Sequence, residues 1–179
     1  MNPLSIINFW FHELIPEQWW KKDPVLDQHI CENYRHLHQQ AQKGELWEWR
    51  STPEGRLAEI LILDQFSRHI YRGQLQAFSN DSMALVLAQE AILLKANLGL
   101  APVKRSFLYL PFMHSESSRI HEIAVKLYTD LGLEENLKFE LLHKRIIDQF
   151  GRYPHRNEIL KRTSTEEELA FLQQENSQF

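Results

Sequence analysis

Ile62-Leu-Asp-Gln-Phe-Ser-Arg-His-Ile-Tyr-Arg72 returns later in the chain as Ile146-Ile-Asp-Gln-Phe-Gly-Arg-Tyr-Pro-His-Arg156. Six positions are identical: Ile62/Ile146, Asp64/Asp148, Gln65/Gln149, Phe66/Phe150, Arg68/Arg152 and Arg72/Arg156. Internal repetition of this kind bears on architecture before any single residue does. Each copy closes an apolar helix with an Asp and follows it with two Arg at four-residue steps. Leu57 and Leu141 stand one heptad before the two acids. A heptad is nearly two helical turns, so each Asp is expected beneath a Leu on a packed face. A carboxylate there needs a partner, and Arg68 and Arg152 are the nearest candidates. The expectation is two helix ends folded against each other, their acids neutralised by shared guanidinium groups.

Outward from the repeat, the pattern is helical throughout. Asn2-Pro3, Asp23-Pro24 and Thr52-Pro53 each pair a capping side chain with proline at the first helical position. The first helix reaches about Leu14. Leu26, Ile30, Tyr34, Leu37 and Ala41 then give a helix face ending near Gly44. Residues 83–94 are apolar nearly all round, which predicts a central helix covered on several sides. Pro111 predicts a kink or helix end, and Gly132, Gly151 and Pro154 mark further stops. Ser164 with Glu167 reads as a capping box for a last short helix, and the tail over 173–178 as frayed. Trp19-Trp20 read as a hydrophobic lid, and Cys31 as a small packed residue with no electropositive neighbour. No strand pattern is visible. The fold class is all-α: seven to nine helices in antiparallel hairpins, one domain over residues 1–179.

Composition agrees. The 179 residues are 43% hydrophobic and 25% charged, with mean hydropathy −0.44, enough for a core under an ordinary polar surface. No apolar run approaches a membrane span and no signal peptide is visible, so no membrane partner is expected. The single cysteine fits a reducing, cytoplasmic compartment. The net charge of −4 argues against nucleic acid as partner, although residues 143–162 carry six Lys/Arg against two acids.

Several phrases occur together: Phe9-Trp10-Phe11, Gly44-Glu45-Leu46, Leu63-Asp-Gln-Phe66 with Arg72-Gly73, Phe107-Leu-Tyr-Leu-Pro-Phe-Met-His-Ser-Glu116 and Phe150-Gly-Arg-Tyr-Pro-His-Arg-Asn157. In this order they resemble the bacterial domain-of-unknown-function family DUF924, across nearly the whole chain. The resemblance implies a compact tetratricopeptide-like (TPR-like) helical array and no established activity. The family usually reads Asp-Gln-Phe-Pro-Arg-Asn in the first copy. Here Ser67 and His69 replace the proline and the amide, whereas Asn157 keeps an amide in the last motif.

The polar residues set against this apolar background are the candidate site: Asp64, Gln65, Arg68, Arg72, His114, Ser115, Glu116, His143, Asp148, Arg152, His155, Arg156 and Asn157. Three uses compete. Asp–Arg pairs can simply fasten the hairpins, with His143 a core histidine donating to a carbonyl. Four Arg against two Asp in the repeats can instead hold a small anion or a peptide carboxylate. Or the site is an enzyme's, metal-dependent through His114, Glu116, His143 and His155, or using Glu116 as general base with His114 or His143 as acid. No phosphate loop, nucleophile elbow or His-Glu-x-x-His motif is present. No particular metal, cofactor or oligomeric state is indicated.

Overall fold

The structure, a computed structural model, describes residues 1–174. The regular elements in them are all helical. Helix α1 (Pro3–Asn8) runs into a π turn at Phe9–Glu13, followed by α2 (Pro24–Gln42) and α3 (Pro53–Leu61). A second π turn, Ile62–Phe66, joins α3 to α4 (Ser67–Ile70). Then come α5 (Asp81–Leu93), α6 (Pro102–Met113), α7 (Ser118–Leu131), α8 (Glu134–Phe150) and α9 (Glu166–Leu172). Most of the expected tail, 173–178, lies outside the described residues.

The starts follow the caps. Asn2 Oδ1 accepts from Ser5 N at 2.9 Å, Asp23 Oδ1 from Val25 N at 2.9 Å, and Thr52 Oγ1 from Gly55 N at 3.1 Å. Each satisfies a backbone donor that the first helical turn leaves open. The last capping box sits one residue beyond the expected place. Thr165 and Glu168 form it, while Ser164 Oγ accepts from Asn157 Nδ2. Pro111 does not end its helix; α6 continues to Met113.

Helix α3 is the hub. It packs against α1, α5 and α6, and the π turn that extends it packs against α2. Every residue from Leu57 to Ser67 is buried in consequence. The chain then stacks α6, α7 and α8 in sequence, each on its predecessor. The aromatic lid is real and has a centre: Phe107, on α6, meets Trp10 and Trp19 edge-on, and Trp20 lies nearly parallel to its ring at 5.5 Å. Truncating such a ring to Ala costs about 3–5 kcal/mol.

Two expectations are corrected here. Helix α5 is not covered on several sides. Ala84, Ala88 and Ala91 face α3 and α6, but Val86 is exposed and Leu93 is 82% exposed. An all-apolar helix reads as central only if enough neighbours exist to surround it, and this one is covered on the face of Ala84, Leu87, Ala88 and Ala91 while the opposite face meets solvent. Cys31 does have a cationic neighbour: Arg35, one turn on, donates to its Sγ at 2.8 Å.

Candidate ligand-binding cleft

The two copies of the repeated phrase meet, but not through their own acids. In the first copy Asp64 is buried on the inner side of the π turn, its side chain 1% exposed. Oδ1 accepts from His114 Nδ1 at 2.7 Å and lies 3.1 Å from Arg68 Nη1, and Oδ2 accepts from Gln65 Nε2. Burial alone would raise its pKa. Arg68 and His114 outweigh that and hold the carboxyl well below the usual carboxylate range. In the second copy Asp148 lies on the outer face of α8, 47% exposed, paired with Lys144 one turn back. Leu141 is exposed as well. The expectation that Asp148 sits beneath a Leu, sharing Arg with Asp64, is therefore wrong. Helix α8 packs on α7 and α6, with Tyr153 and Phe171 against its last turn, and its Asp falls on the open side.

Asp81, at the start of α5, is what joins the copies. Arg68 forks onto both its oxygens at 3.0 and 3.1 Å, and Arg156 Nη1 reaches Oδ2 at 3.2 Å. Arg156 is otherwise held by rings. Its guanidinium carbon lies 4.7 Å from the Phe78 centroid and 4.6 Å from that of Tyr153. The side chain is 8% exposed, and its buried Nε has no hydrogen-bond partner. Burial, with Arg68 beside it, lowers its pKa.

Around this junction opens a cleft of about 370 Å³. Leu75, Phe78, Leu85, Pro111 and Leu160 supply apolar wall; Asp81, His114, Ser115, Glu116 and Arg156 supply polar edge. The three contributing stretches are the entry to α5, the exit of α6, and the segment after α8. His114 caps the end of α6 and is 15% exposed. Its pKa is lowered by burial first and by Arg68 next, so the ring is neutral at pH 7. With Asp64 ionised, Nδ1 carries the proton and donates it.

The remaining candidates are brought near but are already engaged. Glu116 accepts two bonds from Arg162, at 2.6 and 2.9 Å, and one from Tyr153 N at 2.8 Å. Burial works to raise its pKa, but Arg162 and that backbone amide bring it below the ordinary value. It is a clamp between the α6–α7 turn and the C-terminal segment. His143 Nδ1 donates to Phe139 O at 2.8 Å, a core histidine whose pKa burial lowers to about 3. His155 lies against Tyr153, its pKa lowered to about 4 by burial and Arg156. Asn157 links Ser164, Glu168 and Arg162.

Two Arg of the repeats point elsewhere. Arg72 binds Asp27 at 2.5 and 2.7 Å, where His69 Nδ1 also reaches Asp27 at 2.7 Å. Arg152 binds Glu168 at 2.6 and 2.7 Å. The expected surplus of positive charge is accordingly gone: Arg68, Arg156 and Arg162 face Asp64, Asp81 and Glu116. Nor does the alternative His/Glu metal set assemble, since no group of three or more His, Cys, Asp or Glu among the described residues is placed to hold an ion.

Asp81, Phe78, Tyr153 and Arg162 are neighbours of the candidate site that the sequence pattern does not single out. Asp81 reads as a helix start in Asn80-Asp81-Ser82, and Arg162 as one charge in a basic run. Tyr153, fully buried with its hydroxyl donating to Met113 O, does carry a signal: it lies inside a motif flanked by two Arg.

An all-helical array with a mixed polar and apolar cleft is the class of protein these features define. Residues 6–176 match a family described as bacterial protein of unknown function, DUF924, and the chain belongs to that family. It is similar to a solved structure, that of the protein of unknown function ATU0120 from Agrobacterium tumefaciens, with 36% identity, 96% of each chain covered and a TM-score of 0.91. No curated protein matches it. Among the described residues no helix is long and apolar enough to cross a membrane.

Proposed function

We propose that the cleft binds a small ligand with an acidic head and an apolar body, the head lying on Arg156. One observation carries this reading: a nine-tenths buried guanidinium sits in a cleft wall with a single hydrogen bond. Asp81 is taken bidentately by Arg68, so Arg156 has only the 3.2 Å remainder. A carboxylate or phosphate oxygen offers what the two rings cannot, a directed acceptor. The volume falls in the range of small-molecule sites, and the leucine and phenylalanine walls suit a short apolar body better than bare phosphate. The same surface accommodates the terminal carboxylate of a peptide, in keeping with a TPR-like stacking of hairpins in one cytoplasmic domain.

The structural use claims most of the other candidates. Arg72–Asp27, Arg152–Glu168 and Arg162–Glu116 are saturated pairs that fasten one segment to another.

A thermal-shift series separates the two uses. Short-chain carboxylates should raise the melting temperature of the parent, and their uncharged amides should not. In Arg156→Gln the rise should vanish. Stabilisation by acids and amides alike, or by neither, is the result against an acid-binding cleft.

A further inference from the structure

Asp64 and His114 form a pair whose other end is unused. Nδ1 of His114 is turned inward to Asp64 at 2.7 Å. Nε2, on the opposite side of the ring, has no hydrogen-bond partner among the described residues, and the ring forms part of the cleft wall. In the tautomer Asp64 imposes, Nε2 carries a lone pair. The carboxylate fixes the orientation of the ring and stabilises the imidazolium that forms when Nε2 takes a proton. Arg68, held by Asp81, in turn fixes the Asp64 carboxylate. This arrangement goes beyond what holding a ligand requires. Packing alone would also leave no reason for an accessible basic nitrogen in the same 370 Å³ as a poorly partnered guanidinium.

We infer that Nε2 of His114 is the reactive atom of the cleft, a proton acceptor acting on a small acid whose carboxylate lies on Arg156. The inference rests on the acid-binding reading above. The step is a proton relay. Nε2 takes a proton from a water whose oxygen forms the new bond to an acyl carbon of the substrate, and the bond from that carbon to its leaving oxygen breaks. The proton resides on the ring as imidazolium against Asp64, and is then given to that departing oxygen. The ring ends neutral, with no net change in the protein. His114 is the catalytic residue, since it touches substrate; Asp64 and Arg68 are positioning residues.

Iodoacetate is the probe, because it joins a carboxylate to an electrophilic carbon. Docked on Arg156 in the cleft that His114 also lines, it should present that carbon to Nε2. The lone pair forms the N–C bond, iodide leaves with the C–I pair, and His114 gains a carboxymethyl group. The experiment treats the intact protein in a Cys31→Ser background with iodoacetate or iodoacetamide, and quantifies each modified histidine by peptide mass spectrometry. Proximity should make iodoacetate modify His114 at least about ten-fold faster than exposed His12 and His36. The iodoacetate-to-iodoacetamide ratio at His114 should exceed the ratio at those two histidines, and Arg156→Gln should abolish that excess. Asp64→Asn should slow the reaction at His114 while acid-induced stabilisation persists, a split that a merely structural Asp would not give. His114 modified no faster than His12, or equally by both reagents, overturns the inference. If carboxylates stabilise the protein but His114 stays unmodified, the binding reading survives and the reactive-histidine inference fails. The comparison of reagents in the parent stands even where a variant does not fold.

Discussion

The same five letters, Ile-x-Asp-Gln-Phe, fold in two ways in this molecule. In the first copy they form a π turn in the middle of the array, and all five residues are buried. In the second they finish an ordinary α-helix at its edge. A π turn carries an extra residue, so the next face along is rotated relative to a plain helix. That rotation, with α2 and α5 packed against the turn, turns Asp64 inward. The residue after each phrase also differs. Ser67 continues the helix and is fully buried: it donates to Leu63 O, and accepts from Asn80 Nδ2 at 3.1 Å and from His38 Nε2 at 2.7 Å. Gly151 stops the helix at φ +69°. Repetition therefore specifies helix ends and guanidinium positions, while the neighbours decide which acid is interior.

The most demanding test of this contrast is Asp64→Ala against Asp148→Ala. The first orphans Arg68 on one side and removes the acceptor of His114; breaking a buried pair in this way costs about 3–5 kcal/mol. The second should change stability by less than about 0.5 kcal/mol. Equal losses in urea unfolding would end the distinction between inner and outer copies.

Acidification should come next in size. His38, His143 and His155 have folded pKa values of about 4, 3 and 4, all lowered first by burial. Depressed histidines bind more protons unfolded than folded. Their stabilising contribution is therefore complete above pH 6.5 and is lost as pH falls from there toward 4. For His38, wholly buried, the full loss is about 3 kcal/mol. Denaturation midpoints against pH in His38→Gln should show a shallower slope between pH 6.5 and 4. An unchanged slope would mean that His38 is charged in the fold.

Exchanging the residues at the matched position sharpens the comparison further. Ser67→Gly removes three hydrogen bonds and loosens a buried turn, at about 2 kcal/mol. Gly151→Ser forces a side chain into left-handed backbone, at about 1 kcal/mol. If the copies were interchangeable, both swaps would be neutral by calorimetry.

Smallest of all is Lys144→Ala, which removes the surface partner of Asp148. An exposed pair one helical turn apart contributes about 0.3–0.5 kcal/mol, and that contribution should disappear in high salt.

Much of this molecule is legible in its sequence. Asn2, Asp23 and Thr52 announce their helices because capping is a local transaction between a side chain and the next three amides. His143 is legible as a core histidine because its carbonyl partner, Phe139, lies one turn away. Asp148 is not legible in this way. Whether the outer face of α8 is covered depends on elements remote in sequence, and the heptad that buries Leu57 leaves Leu141 in solvent. The apolar α5 misleads for the same reason. Of the site, Arg68, His114 and Arg156 stand out in the sequence, but their common neighbour in the fold, Asp81, does not. An acid at a helix start already has a local explanation, and nothing in sequence separates it from one aimed at two distant guanidinium groups.

The cleft takes its walls from residues near 75–85, 111–116 and 156–160. A nascent chain that has cleared the ribosome through α7 already owns the residues of the main core, but not Arg156, Leu160 or the Arg162 clamp. On the acid-binding proposal, ligand binding is then the last property the polypeptide acquires as it is made.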